Sequence, residues 1–198
     1  MTPLQIFLSN TMQYEGMFSQ DTRDPGNWTG GTCGRGECLG TMRGISTGAY
    51  PGILKGLTPA DRAAGAPWPV KVADLTPAQT DIIYAAEYWY AAHADLLPPG
   101  LAIVYADFGV NSGPGTAARI LQGVVGARQD GQIGNETVKA IASLATPEHG
   151  GLAGLVARYQ GEHVRYLMAL PLWQTQGLGW ERRAISIALC AGRMIGGL

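Results

Sequence analysis

Asp24-Pro25-Gly26-Asn27-Trp28-Thr29-Gly30-Gly31, running on through Thr32-Cys33-Gly34-Arg35-Gly36-Glu37-Cys38-Leu39 into Gly40-Thr41-Met42-Arg43-Gly44-Ile45-Ser46, is the stretch on which the fold turns. Its glycines recur too often for a helix, and its Pro-Gly and Gly-Gly pairs mark turns between short strands. The chain on either side carries helical signals instead. Upstream, Leu4, Phe7, Leu8 and Met12 fall on one helical face, and Gly16 is a suitable residue to end that helix. Downstream, Thr58-Pro59-Ala60-Asp61 and Thr76-Pro77-Ala78-Gln79 each place a capping hydroxyl before a proline at the first helical position. The second of these continues through Ile82, Ile83, Ala86, Trp89 and Tyr90 until Pro98-Pro99 interrupts it. Further helices are expected from about Leu101 to Asn111, Thr116 to Val125, Glu136 to Leu144, Gly151 to Leu170 and Trp180 to Met194. The pattern predicts a mainly α protein with one small β-element near the N-terminus.

Composition narrows the function classes. The 198 residues are 46% hydrophobic and 15% charged with a formal net charge of −1, which is ordinary for a globular protein. That balance disfavours a strongly basic nucleic-acid binder and a disordered chain. No run of about 20 apolar residues is present, so no membrane-spanning helix and no stable membrane insertion are expected. Met1 to Asn10 lacks a basic start and a small-residue cleavage site, so no signal peptide is expected there. The apolar run from Ala184 to Leu198, broken by Arg193 and glycines, reads as a core helix. Three cysteines make no disulfide framework, and Cys190 reads as a buried free thiol. His93, His149 and His163 are scattered, each better explained as buried or solvated than as a ligand.

Two carboxylates stand out. Glu15 follows Leu8, Thr11 and Met12 at helical spacing and closes the first helix. The negative end of the helix dipole and partial burial both disfavour its ionised form, as a general acid requires. The competing reading is a solvated carboxylate at a helix end. Asp24, nine positions on in a polar turn, can stay ionised while Glu15 stays protonated, a pairing suited to glycosidic cleavage; alternatively it only caps the turn before Pro25. Cys33 and Cys38 flank a four-residue turn, where either a disulfide or two free thiols would fit, while two sulfurs without a nearby histidine do not complete a zinc shell. Asp107 and Asn111 lie one helical turn apart; Asn111 can offer its amide to a sugar or simply end its helix. Tyr84, Tyr88, Trp89 and Tyr90 could wall a sugar site, although aromatics at helical spacing are more often core. Ser46 and Ser112 have no neighbouring histidine to suggest a nucleophile.

Taken in order, Tyr14-Glu15-Gly16, the Asp24 to Gly31 run and Gly40-Thr41-Met42-Arg43-Gly44-Ile45-Ser46 resemble the glycoside hydrolase family 108 lysozymes, which are phage endolysins and related bacterial muramidases. The resemblance extends through Tyr84, Tyr88 and Trp89. It then passes into a segment similar to the peptidoglycan-binding region that accompanies the family. That segment is carried by Asp107, Val110-Asn111-Ser112-Gly113, Leu121-Gln122, Asp130-Gly131-Gln132-Ile133-Gly134, Thr137, Gly179-Trp180 and Arg183. Two departures are visible: Met17 stands where the family usually has a second glycine, and the stretch between Asn27 and Gly40 is longer.

The resemblance implies a lysozyme-like, two-lobed helical domain with a small β-hairpin region near the N-terminus. It implies a catalytic region over residues 1–97 and a helical peptidoglycan-binding region over 98–198 packed against it. Glu15 is then the catalytic acid, Asp24 its partner, and Thr41 a third residue that orients a water, with Ser46 as runner-up. Tyr84, Trp89, Asp107 and Asn111 are the substrate-binding candidates. The implied reaction is hydrolysis of the glycan strand between N-acetylmuramic acid and N-acetylglucosamine, without cofactor or metal. Peptidoglycan strands are the expected partner, and a holin or export system would carry a protein made in the cytoplasm to the wall. A non-catalytic peptidoglycan-binding or secretion-assisting protein, and a wall-penetrating component of a phage-like particle, are the competing readings.

Overall fold

The computed structural model describes residues 1–196. In chain order it forms α1 (Pro3–Tyr14), β1 (Phe18–Ser19), β2 (Thr41–Met42), β3 (Ile45–Ser46), α2 (Pro59–Ala64) and α3 (Pro77–Tyr84). Then follow α4 (Pro99–Ser112), α5 (Pro114–Val125), α6 (Asn135–Leu144), α7 (Gly151–Met168) and α8 (Trp173–Gly196). The chain is thus mainly helical with one small antiparallel sheet, as the glycine-rich insert predicts. Two compact units divide it: Met12–Glu87, and Met1–Thr11 together with Tyr88–Leu198.

The smaller unit holds the sheet, in the order β1-β2-β3. Phe18 pairs with Met42, Ser19 with Thr41, Thr41 with Ser46 and Met42 with Ile45. Both threonine-proline helix starts form as expected. The Thr58 and Thr76 hydroxyls accept from the amides of Asp61 and Gln79, whose side chains reach back to the cap amides. The segment expected to stay α-helical to Tyr90 changes at Ala85 into a π-helical turn over Ala85–Tyr90.

The insert between Trp28 and Cys38 is a hairpin, but its register separates the two cysteines. The Thr29 amide donates to Glu37 O, Gly30 to Arg35 O and Arg35 to Thr32 O, so Cys33 and Gly34 form the tip. Cys38 stands opposite Trp28 instead, and both thiols are free. A disulfide across the tip is therefore not part of this fold.

The larger unit is organised on α4. This helix has no polar stripe, and residues 100–109 are all buried, Asp107 being the one charged group among them. α5, α7 and α8 pack on it. Phe108 stacks on the His163 ring at 3.8 Å, beside the fully buried Leu101, Ile103, Leu121, Leu155, Tyr159 and Ile187. α8 begins seven residues earlier than its glycines suggest. Gly177 does not break it: a Cβ there would stand 2.7 Å from the Trp173 ring, so the glycine makes room for the indole. The C-terminal run is helical through Gly196 and buries Ala184, Ile187 and Ala191, while Ile185 and Leu189 face outward; its last two residues lie outside the described residues. Cys190 is half-buried rather than buried, with the Asn10 amide 3.7 Å from its sulfur. No helix among the described residues is long and apolar enough to cross a membrane.

Candidate active site

Glu15 and the β2–β3 hairpin meet in the smaller unit. α1 ends at Tyr14, so Glu15 lies just beyond the helix, half-buried in a bend. β2 and β3 are joined by only two residues, Arg43 and Gly44, at φ values of 46° and 76°. Positive φ at both positions is the signature of the tight turn that matches the twist of paired strands. Glycine is required at the second position for a further reason. A Cβ on Gly44 would stand 2.5 Å from the Tyr84 hydroxyl and 2.7 Å from Glu15 Oε2. One bare backbone position therefore receives both the carboxyl and the phenol.

Tyr84 approaches from the last turn of α3, only 3% exposed, and donates its hydroxyl to Arg43 O at 2.9 Å. That bond ties the helix to the turn and fixes the surface against which Glu15 rests. Asp81 lies one turn earlier on the same helix. Burial pushes its carboxyl above the usual range, and the positive charge of Arg43 works against that rise. Asp81 and the side chain of Arg43 are the site features that sequence reasoning passed over. The available signal was the spacing of Asp81 three residues before Tyr84, which puts both on one face of α3.

Asp24 and Thr41 occupy the β-region nearby in the chain. Asp24 is exposed and caps the short turn Pro25–Asn27, accepting the Gly26 amide at 2.8 Å. Gly26 brings that carboxylate close to Ser46, since a Cβ on it would lie 3.2 Å from both Asp24 Oδ1 and Ser46 Cβ. The Thr41 hydroxyl donates to Asn27 Oδ1 at 2.5 Å. Asn27 is fully buried and donates in turn to Asp21 O at 2.9 Å. Ser46, the cross-strand partner of Thr41, accepts from the Ala49 amide at 3.3 Å. Met17, the departure two residues after Glu15, is 69% exposed.

The remaining substrate-binding candidates belong to the larger unit. Trp89 is 6% exposed and stacks on Phe7 at 5.8 Å, a packing environment. Asp107 is fully buried; it accepts from Arg183 Nε at 2.9 Å and from the Thr11 hydroxyl at 3.1 Å. Asn111, in the last turn of α4, buries an amide nitrogen that finds no acceptor among the described residues. Among those residues no group of three His, Cys, Asp or Glu side chains converges as a metal site would.

The family model for glycosyl hydrolase 108 matches residues 8–113, which span the whole of the smaller unit and α4. The chain belongs to glycosyl hydrolase family 108. Membership makes it a glycoside hydrolase of the lysozyme type with peptidoglycan as substrate. The matched range holds Glu15, Asp24, Thr41, Arg43, Tyr84 and Asp81, and stops at Gly113, so residues 114–198 lie beyond it. Among solved structures, this family 108 chain is similar to that of Brucella abortus SagA, at 25% identity and a TM-score of 0.72. The likeness covers 96% of this chain and 94% of that one. No curated protein matches.

Proposed function

We propose that this family 108 enzyme is an N-acetylmuramidase in which Glu15 is the general acid. Glu15 gives its proton to the glycosidic oxygen between N-acetylmuramic acid and N-acetylglucosamine as that bond breaks. Asp24, or a water positioned by Asp24 and Thr41, meets the sugar cation from the other face. Because the Thr41 hydroxyl already donates to Asn27, it can hold such a water only by accepting from it. The observation that carries the reading is the seat of the Glu15 carboxyl against Gly44, shared with the Tyr84 hydroxyl. A carboxyl held against a rigid turn, instead of swinging freely from a helix end, is what proton delivery to one oxygen requires.

The segment from residue 98 onward supplies glycan-binding surface in this reading. Because peptidoglycan lies outside the cytoplasm, the protein reaches it with the help of a holin or an export system. The test is digestion of purified peptidoglycan by the wild-type enzyme, with mass spectrometry of the released fragments. Muropeptides with a reducing N-acetylmuramic acid end support the assignment. Reducing N-acetylglucosamine ends would overturn the bond assignment, anhydro ends would make the enzyme a lytic transglycosylase, and the absence of any release would favour a binding or particle-component role.

A further inference from the structure

Arg43 is an expensive residue for its position. The first place of a two-residue primed turn demands positive φ, which asparagine, aspartate and glycine adopt most easily. Arginine stands there at φ 46°, so the turn carries a strained non-glycine backbone where an easier residue would serve the fold as well. The backbone of Arg43 has a structural task, accepting the Tyr84 hydroxyl, but any residue can supply that carbonyl. The guanidinium makes no ion pair or hydrogen bond among the described residues, although it is half-buried. Its charge reaches Asp81 through space, but the two side chains form no ion pair. The next residue, Gly44, is the one against which the Glu15 carboxyl rests.

A guanidinium without an ion-pair partner, on the residue next to the seat of the acid, is suited to one feature of the proposed substrate. N-acetylglucosamine is neutral, whereas muramic acid carries a lactyl arm that ends in a carboxylate or in a peptide bearing one. Guanidinium binds carboxylate through two parallel N–H···O bonds, so it reports both charge and orientation. We propose that Arg43 is the receptor for the carboxylate carried on the lactyl arm of the muramic acid residue, and that it thereby distinguishes the muramic acid side of the glycosidic bond from the glucosamine side. This assignment rests on the muramidase reading of the same site. The carboxylate has two sources, the lactyl group of a strand stripped of its peptides and the first free carboxylate of an attached stem peptide.

The experiment compares wild type and Arg43→Gln on three substrates: peptide-free glycan strands, the same strands methyl-esterified, and strands with stem peptides intact. Glutamine occupies the same backbone region as arginine, so the turn is not newly strained, and a thermal melt checks this. Esterification should lower the wild-type kcat/KM by about 10- to 100-fold, the scale of a lost charge-assisted hydrogen bond. Arg43→Gln should fall by a similar factor on the charged strands, mostly through KM, with little further loss when those strands are esterified. Arg43→Lys should recover part of the charged-strand activity. If the penalty appears only on intact strands, the stem peptide supplies the carboxylate; if only on stripped strands, the lactyl group does. Equal proportional losses for the variant on charged and esterified strands, or no loss on either, would overturn the role of Arg43. The muramidase reading fails separately, if wild type releases no reducing muramic acid ends from any substrate.

Discussion

Gly44→Ala is the substitution whose consequences follow most directly from the geometry. Its backbone sits at φ 76°, where a side chain costs about 1–2 kcal/mol of stability. For a chain of this size that corresponds to roughly 2–8 °C in Tm. The added methyl would also stand 2.5 Å from the Tyr84 hydroxyl and 2.7 Å from Glu15 Oε2. Both distances are roughly 1 Å short of ordinary van der Waals contact. The Tyr84 ring is held in the core by its hydrogen bond to Arg43, so the less deeply buried Glu15 should give way. Displacing a proton donor by about 1 Å costs up to roughly 100-fold in rate. We therefore expect kcat/KM on purified peptidoglycan to drop by about 10- to 100-fold, mostly in kcat, with a modest loss of Tm. Gly34→Ala is the control. It has the same left-handed backbone, at φ 79°, but nothing lies within 4 Å of the added methyl, so it should lose stability and keep its rate. If Gly44→Ala keeps the rate of the Gly34→Ala control, Glu15 is not the acid that this turn positions.

Removing the buried Asp107 carboxylate by Asp107→Ala strands the Arg183 guanidinium and should cost roughly 3–5 kcal/mol, read as a Tm lowered by about 10 °C or more; a loss near zero would deny the pair its structural role. His163 is buried against Phe108, and burial with the nearby Arg183 charge lowers its pKa to about 3. Its folded-state pKa lies below its unfolded value, so the unfolded chain binds the extra proton first. Stability should therefore fall as pH drops from about 6.5 toward 3, and His163→Gln should flatten that limb in pH-dependent denaturant melts. Thiol titration of the denatured, non-reduced protein should count all three cysteines as free, because the hairpin register keeps Cys33 from Cys38; a count of one would show a disulfide.

Local signals were legible in the sequence wherever the residues that make an element also announce it. Thr58 and Thr76 with their following prolines fixed two helix starts, and the density of glycine from Gly26 to Gly44 marked the β-region. The helical spacing from Leu101 to Asn111 announced α4, but not its place at the centre of the larger unit. What stayed hidden depends on partners distant in the chain. Cys33 and Cys38 look opposed by counting, but the hairpin turns at Cys33 and Gly34 and pairs Cys38 with Trp28. Gly177 looks like a break until Trp173 is seen lying over it. Asp107 reads as a polar residue on a helix, and only the fold brings Arg183 and Thr11 to it across 76 and 96 positions. Glu15 was legible as a carboxylate, but the reason it can be held still lies in Gly44 and Tyr84, 29 and 69 positions onward by their numbers.

The central claim is tested most directly by Glu15→Gln, which keeps the size of the side chain and removes its transferable proton. Turnover of purified peptidoglycan should fall by about 100- to 10,000-fold, the usual contribution of a positioned general acid, with circular dichroism and Tm close to wild type. A folded Glu15→Gln enzyme that retained more than about a tenth of the wild-type rate would contradict the account, and the proton would have to come from another carboxyl.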